Sequence, residues 1–85
     1  MEGVYVIVSY DIKDDRKRLK VMKRLLALGF SRLQKSVYVR RGSRGDAKDA
    51  FNATVKYLDD GDKLFIIVVS DKEFREAWAV EGKVG

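Results

Sequence analysis

The sequence predicts an α+β domain, and three observations carry this prediction. Two apolar runs rich in β-branched and aromatic residues, at 3–11 and 63–69, are typical of buried strands. Two segments at about 15–28 and 46–59 repeat their apolar residues with helical spacing. A third strand-like segment, 30–39, separates the two helices. This order favours a ferredoxin-like βαββαβ sandwich, in which both helices cover one face of a mainly antiparallel sheet.

The first strand, 3–11, ends in a carboxylate, Asp11. An aspartate at the end of a rigid strand places a metal-capable oxygen at the edge of the sheet. The same residue could instead only end the strand, form a turn, or pair with Arg18. These interpretations remain open on the residues alone.

The first helix follows a capping aspartate, Asp14 or Asp15, and is expected to end at Gly29, a usual C-terminal cap residue. Arg18 projects from its apolar face and should either reach out over the sheet end or pair with an acid. The opposite face carries a basic stripe, which either contacts nucleic acid or is simply solvated. The stripe consists of Arg16, Lys17, Lys20, Lys23 and Arg24.

The segment 30–39 forms either one bent strand or two short strands that meet near Lys35 and Ser36. The basic sequence that follows, 40–45, is expected to be a glycine-containing loop. Such a loop could contact phosphates through side chains and backbone amides, or it could be a mobile connector. It lacks the Lys-Ser/Thr ending of a Walker-type phosphate loop. Its three arginines are Arg40, Arg41 and Arg44.

The C-terminal part of the chain suggests a dimer. Ser70 and Glu73 have the spacing of a capping box for a short helix to about residue 77, and Trp78 and Val80 then suit an added strand or interface segment. Neither long strand run alternates with polar residues, so both faces of the sheet are expected to be buried. Two helices cover only one face, and the expected cover for the other is a second copy in a symmetric dimer.

The composition limits the possible chemistry. The 85-residue chain is expected to form one domain, 1–85, and it contains no cysteine and no histidine. Disulfides, thiolate metal sites and a histidine base are therefore excluded, and a metal held by oxygen would be magnesium, manganese or calcium. The 18 Lys and Arg against 13 Asp and Glu give a net charge of +5, which suits an anionic partner such as nucleic acid. The lack of a signal peptide and of a membrane-length apolar run predicts a cytoplasmic protein with no membrane partner.

Two sequence blocks together resemble the CRISPR-associated protein 2 family, the small subunit of the spacer-acquisition complex. The first is Tyr10-Asp11-Ile12 followed by acids and a basic helix, and the second is the segment from Gly29 to Tyr38, Gly-Phe-Ser-Arg-Leu-Gln-Lys-Ser-Val-Tyr. The order and spacing of the blocks and the whole chain length fit the family. Tyr38 stands where the family more usually has Phe.

The resemblance implies a ferredoxin-like homodimer with an extra C-terminal strand, in which the segment 78–85, including Trp78 and Val80, adds to the partner's sheet. It implies that Asp11 approaches its mate across the dimer axis, holds Mg²⁺ and is catalytic. It also implies DNA or single-stranded RNA as partners, metal-dependent cleavage of single-stranded RNA or double-stranded DNA, and a scaffold role beside CRISPR-associated integrase subunits.

The residues expected to contact nucleic acid are mostly basic, with three supporting residues at the strand end. Two further interpretations stay open beside this one: a toxin-like metal-dependent endoribonuclease of the same fold, and a ferredoxin-like RNA-binding module or acylphosphatase-like enzyme. The RNA-recognition signature and an acyl-phosphate loop are both absent. The basic residues are Arg16, Lys17, Arg18, Lys20, Lys23, Arg24, Arg32, Arg40, Arg41 and Arg44, and the supporting residues are Tyr10, Ser36 and Tyr38.

Overall fold

The structure, a computed structural model, describes residues 3–80 and residue 82. Its four strands form one sheet in the order β2-β3-β1-β4, with every neighbouring pair antiparallel. This is the strand order that two interleaved split βαβ units produce, and it confirms the predicted ferredoxin-like α+β fold. The elements in chain order are β1 Val4–Asp11, α1 Asp15–Ala27, β2 Ser31–Gln34, β3 Val37–Gly42, α2 Arg44–Thr54, a 3₁₀ turn Val55–Tyr57, β4 Lys63–Ser70 and α3 Asp71–Arg75.

Local signals place the ends of α1 as the sequence predicts. The side chain of Asp14 accepts a hydrogen bond from the backbone N–H of Lys17 and so caps the helix. Gly29, just after the helix, has φ +89°, a left-handed conformation that glycine adopts without steric cost. Ser36 also has a positive φ, 64°, and its turn divides the segment 30–39 into the two strands β2 and β3.

The predicted basic loop at 40–45 is not a loop, and this prediction was wrong. Arg40 and Arg41 belong to β3, which stays paired with β1 as far as Gly42. Ser43 then starts α2 at once, because its side chain and that of Asp46 form a reciprocal capping box. The helix therefore begins two residues before the expected start, and Arg44 lies in its first turn.

The core lies between the two long helices and one face of the sheet, here called the inner face. Residues Val6, Val8 and Tyr10 of β1 point into it, whereas the alternate residues point to the opposite, outer face. Phe65 and Ile67 of β4 lie on the outer face with 59% and 41% of their surface exposed. Burial of both faces is therefore not achieved within one chain, and the dimer stays a prediction.

The C-terminal segment after α3 adds no strand to the sheet, and it contacts β2 where Gln34 donates a hydrogen bond to the Val80 carbonyl oxygen at 3.3 Å. The capping box of Ser70 and Glu73 is confirmed, but the helix ends at Arg75. Trp78 and Val80 lie in neither helix nor strand and are 99% and 83% exposed, so the extra strand is not formed within a single chain. The predicted segment 78–85 extends beyond the described residues. No helix in the described ranges is long and apolar enough to cross a membrane.

Candidate functional site

Asp11 is the last residue of β1, and its side chain lies exposed on the outer face of the sheet, opposite Lys63 of β4. No ion pair among residues 3–80 and 82 involves Asp11. The alternative that Asp11 pairs with Arg18 is wrong. Arg18 lies on the inner side of the sheet, where it pairs with Asp15 and donates a hydrogen bond to the carbonyl oxygen of Ile12 at 3.0 Å. Asp11 is therefore free to bind an external cation.

One chain provides only part of a metal site. Within the described residues, no group of three or more acidic side chains is placed to hold a metal ion. Asp11 supplies one hard oxygen ligand, and Mg²⁺ in proteins commonly uses one or two carboxylates and completes its shell with water and phosphate oxygens. The donor type therefore fits Mg²⁺, and one chain supplies a single carboxylate to such a site.

A cavity opens on the inner side of the same strand end, between α1 and the β2–β3 turn. This strand-end cavity has a volume of about 320 Å³. Three of its lining side chains are cationic and only one is a carboxylate, so it favours an anion. Its apolar wall comes from α1, and its hydroxyl groups come from the sheet and the turn. The lining residues are Tyr10, Asp15, Arg18, Leu19, Met22, Arg32, Lys35, Ser36 and Tyr38.

Tyr10 and Tyr38 form the floor of the strand-end cavity. Their rings stack with centroids 6.0 Å apart, and the residues are only 7% and 2% exposed. Burial, with a smaller contribution from the Tyr38 hydroxyl, raises the pKa of Tyr10 to about 12. Tyr10 is therefore neutral at physiological pH and acts as a hydrogen-bonding group, not as a base. Its backbone N–H donates to the carbonyl oxygen of Ser36 at 3.1 Å, which fixes the β2–β3 turn to the strand end.

The predicted basic residues do not form one surface. Four of them pair with carboxylates: Lys17 with Asp59, Arg18 with Asp15, Arg40 with Asp46 at 3.6 Å, and Arg41 with Asp71 at 3.0 Å. The other six make no ion pair within the described chain, and they are Arg16, Lys20, Lys23, Arg24, Arg32 and Arg44.

The side chains of Arg40 and Arg41 each contact a part of the chain outside β3. Arg40 donates to the carbonyl oxygen of Leu28 at the end of α1, and Arg41 lies 5.1 Å from the centroid of the Tyr5 ring. Both contacts are remote in sequence, so the run of basic residues at 40–44 gave no indication of them.

Sequence reasoning missed two features of the basic surface. Lys35 lines the strand-end cavity, although it was considered only as the position of a kink. Tyr57, from the 3₁₀ turn, lies against the basic stripe of α1 with Lys20 over its ring, and Lys56 of the same turn lies over that ring as well. Their proximity depends on the packing of that turn onto α1, which no local pattern reports.

Sequence comparison with known proteins finds one matching family and relatives that share its name. The sequence model of the family described as "CRISPR associated protein Cas2" matches residues 4–77. The protein from Aeropyrum pernix called CRISPR-associated endoribonuclease Cas2 is 43% identical over 82 residues, which cover 95% of this chain and 89% of the relative. A protein of the same name from Thermofilum pendens is 33% identical over 78 residues, covering 92% and 84% of the two chains.

Two solved structures share the fold. One, titled "Crystal structure of cas2", superposes with a TM-score of 0.75 at 25% identity, covering 95% of this chain and 88% of the other. A hypothetical protein from Thermus thermophilus, TT1823, superposes with a TM-score of 0.66 at 29% identity, covering 100% and 94%. Family profile, relatives and structures therefore agree over nearly the whole chain.

Proposed function

The chain belongs to the CRISPR-associated Cas2 family, and from that premise we propose that it is a homodimeric, Mg²⁺-dependent endonuclease that cuts single-stranded RNA. The observation that carries the proposal is the position of Asp11. This carboxylate is exposed and unpaired within the described residues, at a strand end whose other side opens into a cationic cavity. RNA is proposed as the substrate because two relatives are named endoribonucleases.

A homodimer would supply the second carboxylate that one chain lacks. Asp11 shares the outer face of the sheet with the exposed side chains of Phe65 and Ile67. Covering this face with a second copy about a two-fold axis would bury the apolar residues and bring a second Asp11 to the same side. Two like charges near each other favour a bound cation, so the paired carboxylates would hold Mg²⁺. When bound, the ion supplies charge neutralisation at the scissile phosphate and makes water a stronger acid.

The chain's own cations would position the RNA. Arg18, Arg32 and Lys35 line the strand-end cavity and would bind phosphate oxygens of the strand that passes the sheet end. Arg18 is fixed by its bond to the Ile12 carbonyl, so its guanidinium is already oriented. The chain has no histidine and Tyr10 stays protonated, so neither group serves as a general base.

A second function is a DNA-binding scaffold for CRISPR-associated integrase subunits, and it can coexist with cleavage. The resemblance of the sequence to its family suggests it. Cations outside the strand-end cavity favour it, since Lys20, Lys23 and Arg24 of α1 have no carboxylate partner among the described residues. A binding role needs these phosphate contacts and does not need Asp11.

The experiment compares wild type with Asp11→Asn on labelled single-stranded RNA and duplex DNA, with Mg²⁺ and with a chelator. Cleavage and binding are measured separately. We expect wild type to cut RNA only with Mg²⁺, and Asp11→Asn to lose on the order of 10²-fold in rate while binding as well as wild type. The matched control is Asp49→Asn, which removes an exposed carboxylate from α2.

The result distinguishes the two functions. Equal cleavage rates for wild type and Asp11→Asn would show that the Asp11 carboxylate does not take part in cleavage. If neither protein cuts and both bind duplex DNA equally well, the scaffold function replaces the nuclease function.

A further inference from the structure

The strand-end cavity is built for more than a phosphate group. Its rim carries the exposed side chains of Arg32 and Lys35. Its floor is formed by Tyr10 and Tyr38, which are almost completely buried. A ligand that matches this arrangement has an anionic part at the rim and a neutral part inside the cavity.

The wall of the cavity that α1 provides is apolar. Leu19 lines the cavity although 46% of its surface is exposed, and Met22, three residues further along the same helix face, is partly buried against the core. A flat neutral group that covered this apolar surface would gain free energy by removing it from water. A phosphate bound only to the rim cations would leave the surface of Leu19 exposed.

The hydroxyl groups of the cavity favour a nucleobase as this neutral group. Because Tyr10 keeps its proton, its hydroxyl can both donate and accept a hydrogen bond. The hydroxyls of Tyr38 and Ser36 line the same cavity. The edge of a nucleobase presents donors and acceptors side by side, whereas the ionised oxygens of a phosphodiester only accept.

The β2–β3 turn places one of these hydroxyls at a cost. Ser36 has φ 64°, a left-handed conformation that is uncommon for a residue other than glycine. Its carbonyl oxygen accepts a hydrogen bond from the backbone N–H of Tyr10 at 3.1 Å, so the turn is fixed to the strand end. Glycine would adopt this conformation without steric cost, but it would bring no hydroxyl to the cavity.

The volume of the cavity sets the size of the ligand. It is about 320 Å³, near the lower end of the range of about 300–1,000 Å³ for small-molecule sites, so it has room for one nucleotide. We propose that the strand-end cavity binds one unpaired nucleotide of the RNA, with the base against Leu19 and the phosphate at Arg32. The proposal deepens the proposed function and rests on it for the choice of nucleic acid as substrate. A base inside a duplex is stacked and paired, so it enters such a cavity only if it is flipped out, and the cavity therefore selects single strands.

The test measures how the full chain binds uridine monophosphate, adenosine monophosphate, ribose phosphate and inorganic phosphate. A chelator is present, so the measurement depends on neither Mg²⁺ nor cleavage. NMR chemical shifts of backbone amides report both the affinity and the place of binding. We expect the tighter of the two nucleotides to bind about tenfold more strongly than ribose phosphate, because the base adds buried apolar surface. The largest shifts should lie at Ser36 and Tyr38.

Two leucine variants locate the base. Leu19→Ser removes the apolar surface of the cavity wall without changing the net charge, and it should reduce the advantage of the nucleotide over ribose phosphate to below about threefold. Leu26→Ser is the matched control, since Leu26 is a leucine of the same helix with 48% of its surface exposed and lies outside the cavity. This control should keep the full advantage.

A third variant tests the floor. Tyr38→Phe keeps the ring and removes the hydroxyl, and it should weaken binding of the tighter nucleotide by about fivefold, the size of one lost hydrogen bond. Melting temperatures of all variants are measured alongside. Leu19 is exposed, so the leucine comparison stands even if Tyr38→Phe unfolds.

The outcomes separate this proposal from the proposed function. Equal affinities for the nucleotides and ribose phosphate would show that the cavity holds only an anion and would overturn the proposal, even if wild type cuts RNA. Equal losses in Leu19→Ser and Leu26→Ser would overturn it as well. If the nucleotides bind as expected but wild type does not cut RNA with Mg²⁺, the nuclease function fails and the nucleotide site stands.

Discussion

Tyr10 and Asp11 are consecutive residues of β1, yet their side chains lie on opposite faces of the sheet. Tyr10 is buried beneath α1 and lines the strand-end cavity, whereas Asp11 is exposed on the outer face opposite Lys63. The two groups are separated because successive side chains of a strand point to opposite faces of the sheet. A nucleic-acid strand that touched both would have to pass around the end of the sheet. Binding in the cavity and chemistry at Asp11 should therefore be separable by mutation.

Arg32→Gln should weaken the binding of single-stranded RNA without removing Asp11. Arg32 lines the strand-end cavity and has no ion-pair partner in the described residues, so its charge is available to a phosphate. We expect about a tenfold loss of affinity, the size of one charge-assisted hydrogen bond. Fluorescence anisotropy with a labelled RNA measures it. Arg75→Gln, on α3 outside the cavity, is the control, and an equal loss in both variants would contradict the prediction.

Phe65→Asp should convert a dimer into a monomer at micromolar concentration. Phe65 is 59% exposed on the outer face, and a carboxylate there would be buried without a partner if two outer faces met. Sedimentation velocity gives the oligomeric state. Phe51→Asp changes an exposed phenylalanine of the helix layer and should leave the dimer intact.

Trp78 reports on the same association, because it is the only tryptophan of the chain and is 99% exposed in a single copy. If the C-terminal segment packs on a partner, tryptophan emission should shift to shorter wavelength as protein concentration rises. The shift should be absent in Phe65→Asp. A wild-type protein that sediments as a monomer with concentration-independent emission would rule out the dimer.

Local patterns were enough to predict the fold, because each of its signals is local. The capping box of Ser70 and Glu73, the stop at Gly29 and the apolar strands each act within a few residues. The face on which Asp11 lies was not predictable. The residues of β1 are apolar on both faces, so only the packing of the helices against Val6 and Val8 decides which face is inner.

Most ion pairs of the basic residues could not be predicted from the sequence either. Arg40 and Arg41 were predicted to belong to a basic loop. In the structure Arg40 contacts Leu28 and the nearby Asp46 of α2, and Arg41 contacts Asp71, so two of the three partners are distant in sequence. Six of the ten predicted contact residues remain unpaired within the described ranges, and among the four pairs only that of Arg18 with Asp15 joins neighbours on one helix.

The stability contributed by Asp62 should depend on pH. Its carboxylate accepts backbone N–H groups from Asp59 at 2.8 Å and Lys13 at 3.2 Å, and the first of these contacts is the main cause that lowers its pKa in the folded state. A lowered folded pKa contributes stability that is complete above the unfolded pKa, near 4, and is lost as pH falls through the folded value. The gap in melting temperature between wild type and Asp62→Asn should therefore be constant from about pH 6 to 8 and narrow below about pH 4.

Circular dichroism melts at fixed protein concentration measure this gap. Asp60→Asn, which changes the neighbouring exposed aspartate, should give a small gap at every pH. A gap for Asp62→Asn that is the same at pH 7 and at pH 2.5 would show that the charge of Asp62 does not stabilise the loop.

Two glycines should respond to alanine with opposite signs. Gly29 ends α1 with φ +89°, where a Cβ is strained, so Gly29→Ala should lower the free energy of unfolding by about 1 kcal/mol. Gly45 lies in the first turn of α2, and a Cβ there would meet only the Ser43 hydroxyl, at 3.5 Å. Gly45→Ala should therefore raise the free energy of unfolding by about 0.5 kcal/mol, because alanine loses less conformational freedom on folding. Urea denaturation at one protein concentration measures both changes. If Gly29→Ala leaves the free energy of unfolding unchanged, the chain can pass from α1 into β2 without the left-handed turn. The position of Arg32 at the strand-end cavity would then not depend on Gly29.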